Sequence, residues 1–197
     1  MNKWQKRFDT EEFVFGKEPN EFIREAEELF APGPDILAIA EGEGRNAVYL
    51  AGRGNHVTIW DFAESGLVKA QQLAEENGVE LTTELKDLAE AEWPEDRYDA
   101  VICVFGHFPS ELRKQVLEGV RKTVKPGGLF ITEVYAKEQL TYGTGGPKEE
   151  DYLYSLKDFD AFGGWGTLRL EKKEVERHEG SGHNGQSCVI QYAGRKK

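Results

Sequence analysis

The stretch Ile36-Leu37-Ala38-Ile39-Ala40-Glu41-Gly42-Glu43-Gly44-Arg45-Asn46-Ala47 decides how the chain is read. Residues 36–40 are a short apolar run of the size a buried strand takes. Residues 45–53 carry Ala47, Val48, Leu50 and Ala51 for burial along a helix. Between them Gly42, Gly44 and Ala47 fit the pattern G-x-G-x-x-A. Glycine lets the backbone reverse tightly between strand and helix, and it lets a ligand come close to the main chain. A tight strand–helix turn with no ligand is the alternative.

Working outward, the same rhythm repeats. Residues 56–60 read as a strand ending at Asp61, 64–77 as a helix stopped by Asn77-Gly78, and 79–85 as a third strand. Trp93-Pro94 lies in a loop. Residues 98–105 form a strand, 110–124 a helix, Lys125-Pro126-Gly127-Gly128 a turn and 129–135 a fifth strand. Upstream, residues 1–20 read as a short helix and a loop. Residues 21–30 read as a helix with Phe22, Ile23, Ala26, Leu29 and Phe30 on one face, stopped by Ala31-Pro32-Gly33-Pro34. Strands alternating with helices imply right-handed βαβ units and a mostly parallel sheet. Residues 167–177 and 186–193 break the rhythm. They are two strands joined by the turn-rich segment 179–185, a β-hairpin whose strands are antiparallel. No repeat or linker divides the chain, so 1–197 is expected to be one domain.

Composition bounds the function. The length of 197 residues, with 39% of them hydrophobic, suffices for one full core, and aromatics spread along the chain argue against disorder. Against 36 acidic residues there are 25 Lys and Arg, and the only basic cluster is Arg195-Lys196-Lys197. Nucleic acid is therefore not an expected partner. No run approaches the roughly 18 apolar residues of a membrane span, and the first residues lack the apolar segment of a secretory signal. Cys103 and Cys188, each inside a strand-like run, read as buried free thiols. These features point to a cytoplasmic protein with no membrane partner, and they leave the oligomeric state open. Four histidines and the two cysteines at wide spacing fit no zinc pattern, so no metal site is expected.

Asp61 ends a strand, where a carboxylate accepts hydrogen bonds from both hydroxyls of a ribose. Asp87-Leu88 follows the third strand, where an acidic group reaches an adenine amine. Together with Lys125–Gly128 and the terminal hairpin, these features favour adenosylmethionine over nicotinamide. The absence of a catalytic Tyr-x-x-x-Lys agrees. On the segments FGKEPN (15–20), GEGRNAVYLA (42–51), GLVKAQQLA (66–74), VKPGG (124–128), QLTYGTGGP (139–147) and EGSGHNGQSCVIQ (179–191), the chain resembles the class I methyltransferases that use S-adenosylmethionine. Within them it is similar to the tellurite-resistance TehB-like branch.

That resemblance implies a Rossmann-like three-layer α/β sandwich, with a seven-stranded, mostly parallel sheet and an antiparallel C-terminal strand. It implies S-adenosylmethionine as cofactor, with Gly42, Gly44, Arg45 and Asn46 near the methionyl end. Asp61 and its neighbour Phe62, Asp87 and Leu88 then serve the ribose and adenine, and Phe105 lines the site. The chain departs from the family in its first motif. Ala38 stands where an aspartate is usual and Ala40 where a glycine is usual. Glu41 follows, whose carboxylate can pair with an ammonium group.

The expected reaction is methyl transfer to a small-molecule acceptor, a soft anion or a thiol. An NAD-dependent oxidoreductase and a non-catalytic nucleoside-binding protein are the alternatives. Three residues are candidates for the acceptor side. His107 leaves the fourth strand, Tyr135 ends the fifth, and His183 sits in the hairpin loop. His107 is either a proton acceptor or anion binder, or a helix-entry residue bonding backbone carbonyls. His183 is either part of the site or an exposed turn residue. His56 and His178 read as surface residues. Trp4, Phe8, Phe13 and Phe15, within the helical lid segment 1–30, either cover the cofactor or pack on the sheet, with Lys17 and Asn20 orienting them. Thr144-Gly145-Gly146-Pro147 offers backbone N–H groups to an anion. Arg45 and Arg113 are either anion partners or helix-face residues.

Overall fold

The computed structural model describes residues 3–197; residues 1 and 2 of the expected lid segment lie outside them. Seven strands form one sheet: β1 Asp35–Ile39, β2 His56–Asp61, β3 Thr82–Leu85, β4 Tyr98–Val104, β5 Val124–Tyr135, β6 Gly166–Glu179 and β7 His183–Arg195. Their order is β3-β2-β1-β4-β5-β7-β6, with β1–β5 parallel and β7 antiparallel to both of its neighbours. The α-helices are α1 Lys3–Phe8, α2 Glu21–Glu25, α3 Arg45–Gly52, α4 Glu64–Glu76 and α5 Ser110–Thr123.

The pleat sends alternate side chains of β1 to opposite faces. Ile36 and Ala38 meet Phe22 and Ile23 of α2, Ala47 and Leu50 of α3, and Leu67 and Ala70 of α4. Leu37 and Ile39 join Val116, Leu117 and Val120 of α5, together with Phe159 and Phe162 from the 3₁₀ turns at 156–162. Two apolar faces covered by helical elements give the expected three layers. Cys103 and Cys188 are buried free thiols, as read from the sequence. Among the described residues no helix is long and apolar enough to cross a membrane.

Three elements differ from the sequence reading. The helix expected over 21–30 is α-helical only to Glu25 and tightens into a 3₁₀ turn at Glu27–Leu29. Acidic residues crowd its C-terminal end, where the helix dipole opposes negative charge. The expected turn at 125–128 is absorbed into β5. Its register against β4 jumps from Tyr98↔Val124 to Ala100↔Leu129, and Gly127 N–H donates to the carbonyl of Lys196. Finally, β6 and β7 pair through the expected loop as far as Glu179↔His183, leaving only residues 180–182 to turn.

Candidate active site

The carboxyl ends of β1 and β4 lie side by side where the strand order reverses, the place at which open α/β sheets bind ligands. Each of the two strands is followed directly by a non-glycine residue held in the left-handed region, Ala40 at φ 50° and Phe105 at φ 53°. Such backbone strain concentrates at functional sites. Beyond Ala40 the chain makes its glycine turn. A methyl group added at Gly44 would lie 2.5 Å from Cβ of Ala70, so glycine there sets how closely α3 approaches α4.

Three carboxylates surround this turn. Asp61 accepts the N–H groups of Gly42 and Ala63, each at 2.8 Å, and burial raises its pKa despite these bonds. Glu41 accepts the backbone N–H groups of Asn46 at 2.8 Å and Ala47 at 2.9 Å, and the Asn46 side chain at 3.3 Å. It thereby supplies the N-terminal cap that Gly44 cannot give to α3. Burial raises its pKa as well. The ammonium-pairing role expected of Glu41 therefore competes with its work as a helix cap. Glu43 pairs with Lys69 of α4 at 2.8 Å and accepts the N–H groups of Val14 and Phe15.

Those last bonds anchor the aromatic N-terminal segment. Phe8 of α1 is buried, with its ring over Gly42 and Gly66, where an added Cβ would come within 2.8 and 3.0 Å of it. Trp4 stacks on Phe8 at 5.5 Å, and Phe15 meets Phe8 edge-on at 6.2 Å. The hairpin tip closes on the same segment, since Ser181 and Gly182 donate to the carbonyl of Val14. The N-terminal aromatics pack on the glycine turn and on the start of α4.

Beyond the carboxyl ends of β4 and β5 the rings of Phe105, Tyr135, His183 and Phe15 meet. His183 lies 4.1 Å from Phe105, 4.5 Å from Phe15 and 5.3 Å from Tyr135. His107 stacks on Tyr135 at 5.5 Å. Its Nδ1 lies 2.9 Å from the carbonyl oxygen of Tyr152, which can only accept, so Nδ1 carries the proton. Its Nε2 accepts Tyr135 N–H at 3.4 Å. Burial pushes the pKa of His107 down to about 3. His107 is thus neutral and bonded to main chain on both sides, in line with the helix-entry reading. His183 is buried and reaches Glu179 with Nδ1, at 3.3 Å.

The remaining sequence candidates scatter. Phe62 is partly exposed beside Asp61. Leu88 packs into the α5-side core, and Asp87 is exposed, accepting Ala89 N–H. Arg113 is buried against Asp158 at 2.9 Å and over the ring of Tyr154. Gly145 and Gly146 pack on Tyr135, and Thr144 bonds the carbonyl of Gln186. His56 and His178 are exposed. A groove of about 1140 Å³ beside α5, lined by Trp60, Trp93 and Tyr98 among others, includes none of the sequence-predicted site residues.

Sequence reasoning missed a buried charge cluster behind these rings. Arg177 of β6 holds Glu133 of β5 with Nε at 3.0 Å and Nη2 at 2.6 Å, and Gln191 of β7 donates to the same carboxylate. Arg45 reaches Glu179 at 2.8 Å. The side-chain amide of Asn20 donates to both Glu133 and Glu179, each at 2.9 Å. A carboxylate inside the apolar run 129–135, and charges at 177 and 179 on one strand face, were the available signals.

A Rossmann-like sheet with this order, a glycine turn after β1 and a carboxylate closing β2 define the class I methyltransferase architecture. Residues 36–128 match the family described as methyltransferase domain. The demethylmenaquinone methyltransferase of Clavibacter sepedonicus is 32% identical over 100 residues, 50% of this chain and 40% of that protein. The ubiquinone biosynthesis O-methyltransferase of Rickettsia conorii is 28% identical over 153 residues, 72% and 53% of the two chains. The crystal structure of TehB from Haemophilus influenzae superposes with a TM-score of 0.76 at 20% identity, covering 98% of this chain and 66% of that one. Residues 36–128 thus match a methyltransferase domain, and the fold of the chain is that of TehB. It spans about half the length of the curated relatives it matches.

Proposed function

We propose that the chain transfers a methyl group from S-adenosylmethionine to a small-molecule acceptor, a soft anion or a thiol. The observation that carries this reading is charge. Beside the glycine turn, Glu41 and Asp61 are buried, bonded to backbone N–H groups, and form no ion pair among the described residues. Buried carboxylates without a cation are costly. A ligand bearing a sulfonium, an ammonium and ribose hydroxyls relieves that cost, whereas the pyrophosphate of a dinucleotide adds to it.

The residues fit such a group. Asp61 keeps free lone pairs for ribose hydroxyls, with Phe62, Asp87 and Leu88 toward the base. Gly42, Gly44, Arg45, Asn46 and Glu41 serve the methionyl end, and Phe105 lines the site. Entry requires the Phe8 ring to leave Gly42. When bound, S-adenosylmethionine supplies an electrophilic methyl carbon, whose bond to sulfur breaks as the acceptor's electron pair bonds to it. The lid and the rings of Phe105, Tyr135, His107 and His183 exclude water and align the acceptor.

Isothermal titration with S-adenosylmethionine and S-adenosylhomocysteine tests the reading. Both should bind, and Asp61→Ala should weaken binding by about 1.5–3 kcal/mol. No heat at millimolar ligand would end it.

A further inference from the structure

We propose that Glu179 is a positioning residue that makes His183 a proton acceptor, and that the methyl acceptor therefore binds as a protonated nucleophile, first of all a thiol. The inference rests on the methyl-transfer reading and narrows it.

The geometry begins with register. Pairing of β6 with β7 runs to Glu179↔His183, so the two side chains stand opposite each other at the last rung before the turn. Oε2 of Glu179 lies 3.3 Å from Nδ1 of His183. An ionised carboxylate only accepts, so the proton of the neutral imidazole sits on Nδ1 and Nε2 is left with a lone pair. Among the described residues no protein group bonds Nε2. His107 offers no such lone pair, because both its nitrogens are held by main-chain groups.

Glu179 is itself held firmly. Arg45 donates to Oε2 at 2.8 Å and Asn20 to Oε1 at 2.9 Å. Burial opposes its charge, yet the bonds from His183 and Arg45 hold its pKa down at about 2. The groups facing His183 are Glu179 from β6, Arg45 from α3, Arg7 from α1, His107 after β4 and Tyr135 at the end of β5. Burial lowers the pKa of His183, although its bond to Glu179 raises it.

These contacts also choose the acceptor. Of the two cations facing His183, Arg45 is already bonded to Glu179, and Arg7 lies over the rings of Trp4 and Phe15 at 5.1 and 5.0 Å. The walls are aromatic rings, which sulfur contacts favourably. In the proton step the X–H bond of the acceptor breaks, its electron pair stays on X, and the proton bonds to Nε2 of His183. The imidazolium formed faces the Glu179 carboxylate and later releases the proton to water.

The test uses the full-length chain labelled with ¹⁵N. Long-range proton–nitrogen spectra should show the Nδ1–H tautomer of His183 in the unaltered protein, which requires no variant to fold. Glu179→Gln should shift the titration of His183 to lower pH. With 2-mercaptoethanol and selenite as probe acceptors, release of S-adenosylhomocysteine should favour the thiol. Glu179→Gln should lower kcat/KM for the thiol roughly tenfold and His183→Ala by about a hundredfold, with Glu179→Asp restoring part of the loss. An Nε2–H tautomer, an unmoved titration, or preference for selenite with Glu179→Gln unaffected would overturn the proposal while leaving the cofactor reading intact. Failure of S-adenosylmethionine to bind would remove both.

Discussion

Two groups of buried carboxylates sit at the strand tips, and the protein treats them in opposite ways. Beside the cofactor turn, Asp61 and Glu41 are stabilised by backbone N–H groups, and burial raises their pKa. Behind the ring cluster of Phe105, Tyr135 and His183, Glu133 and Glu179 are gripped by arginines, and Glu179 is held down at about 2. Arg177 answers in kind, its pKa raised by Glu133 against the effect of burial. On one side the negative charge is met by backbone N–H groups and the Asn46 amide. Negative charge closed by arginine on the other is structure, fixing the hairpin that carries His183.

The contrast breaks first under substitution of the clamp. Arg177→Met strands Glu133, fully buried, without its cation, and should cost about 3–5 kcal/mol in urea unfolding. The pair Glu133→Leu with Arg177→Met should recover part of that, though not all, because Asn20 and Gln191 lose their acceptor. A single variant as stable as the parent would show that the cluster is not structural. On the other side Asp61→Asn should cost only about 1 kcal/mol of stability, one backbone N–H now facing an amide donor. The same variant should weaken S-adenosylmethionine roughly ten- to a hundredfold. A stability loss as large as that of Arg177→Met would erase the distinction.

This division also marks what the sequence could tell. The alternation of strands and helices, the glycine turn and Asp61 are local patterns, and each lies where periodicity put it. The clamp is not local. Glu133 and Arg177 are 44 residues apart, and Asn20 and Glu179 are 159 apart. The strand order β5-β7-β6 brings Glu133 and Arg177 together, and the start of α2 adds Asn20. The composition of 179–185 reads as loop, so the rung Glu179↔His183 was hidden by its own glycines. Glu41 shows the complementary limit. Its type suggested a ligand contact, but its position three residues before Gly44 made it a helix cap.

Acid sharpens the comparison. For Glu179 the folded pKa lies near 2 and the ordinary value is 4.5. Its contribution to stability is therefore complete above about pH 4.5 and is lost as the pH falls toward 2. Asp61 and Glu41 run the other way. Raised in the folded state, they take up protons there first, so stability is gained as the pH falls from their folded to their ordinary values. Urea midpoints measured against pH should show a shallower acid decline for Glu179→Gln than for the parent. Asp61→Asn should instead lose the small gain above pH 3.8, its ordinary value. Parallel curves for all three would mean that the two carboxylate groups do not differ.

The smallest expected effect concerns backbone strain, which belongs to the cofactor side. Ala40 is held at φ 50° between β1 and the glycine turn, its N–H bonded to the carbonyl of Trp60. A left-handed conformation costs a residue with a Cβ roughly 1–2 kcal/mol. Glycine avoids that cost but gives up about 0.5–1 kcal/mol of chain entropy, and it forfeits the packing of a half-buried methyl group. The terms nearly cancel, so Ala40→Gly should stabilise the chain by about 0.5 kcal/mol at most. If strain aims the following carboxylate, the variant should also bind S-adenosylmethionine somewhat differently while leaving the His183 titration unmoved. Destabilisation by more than about 1 kcal/mol would assign Ala40 to packing. The left-handed bend would then be a tolerated cost of seating the methyl group, and the cofactor side would owe its special character to charge alone.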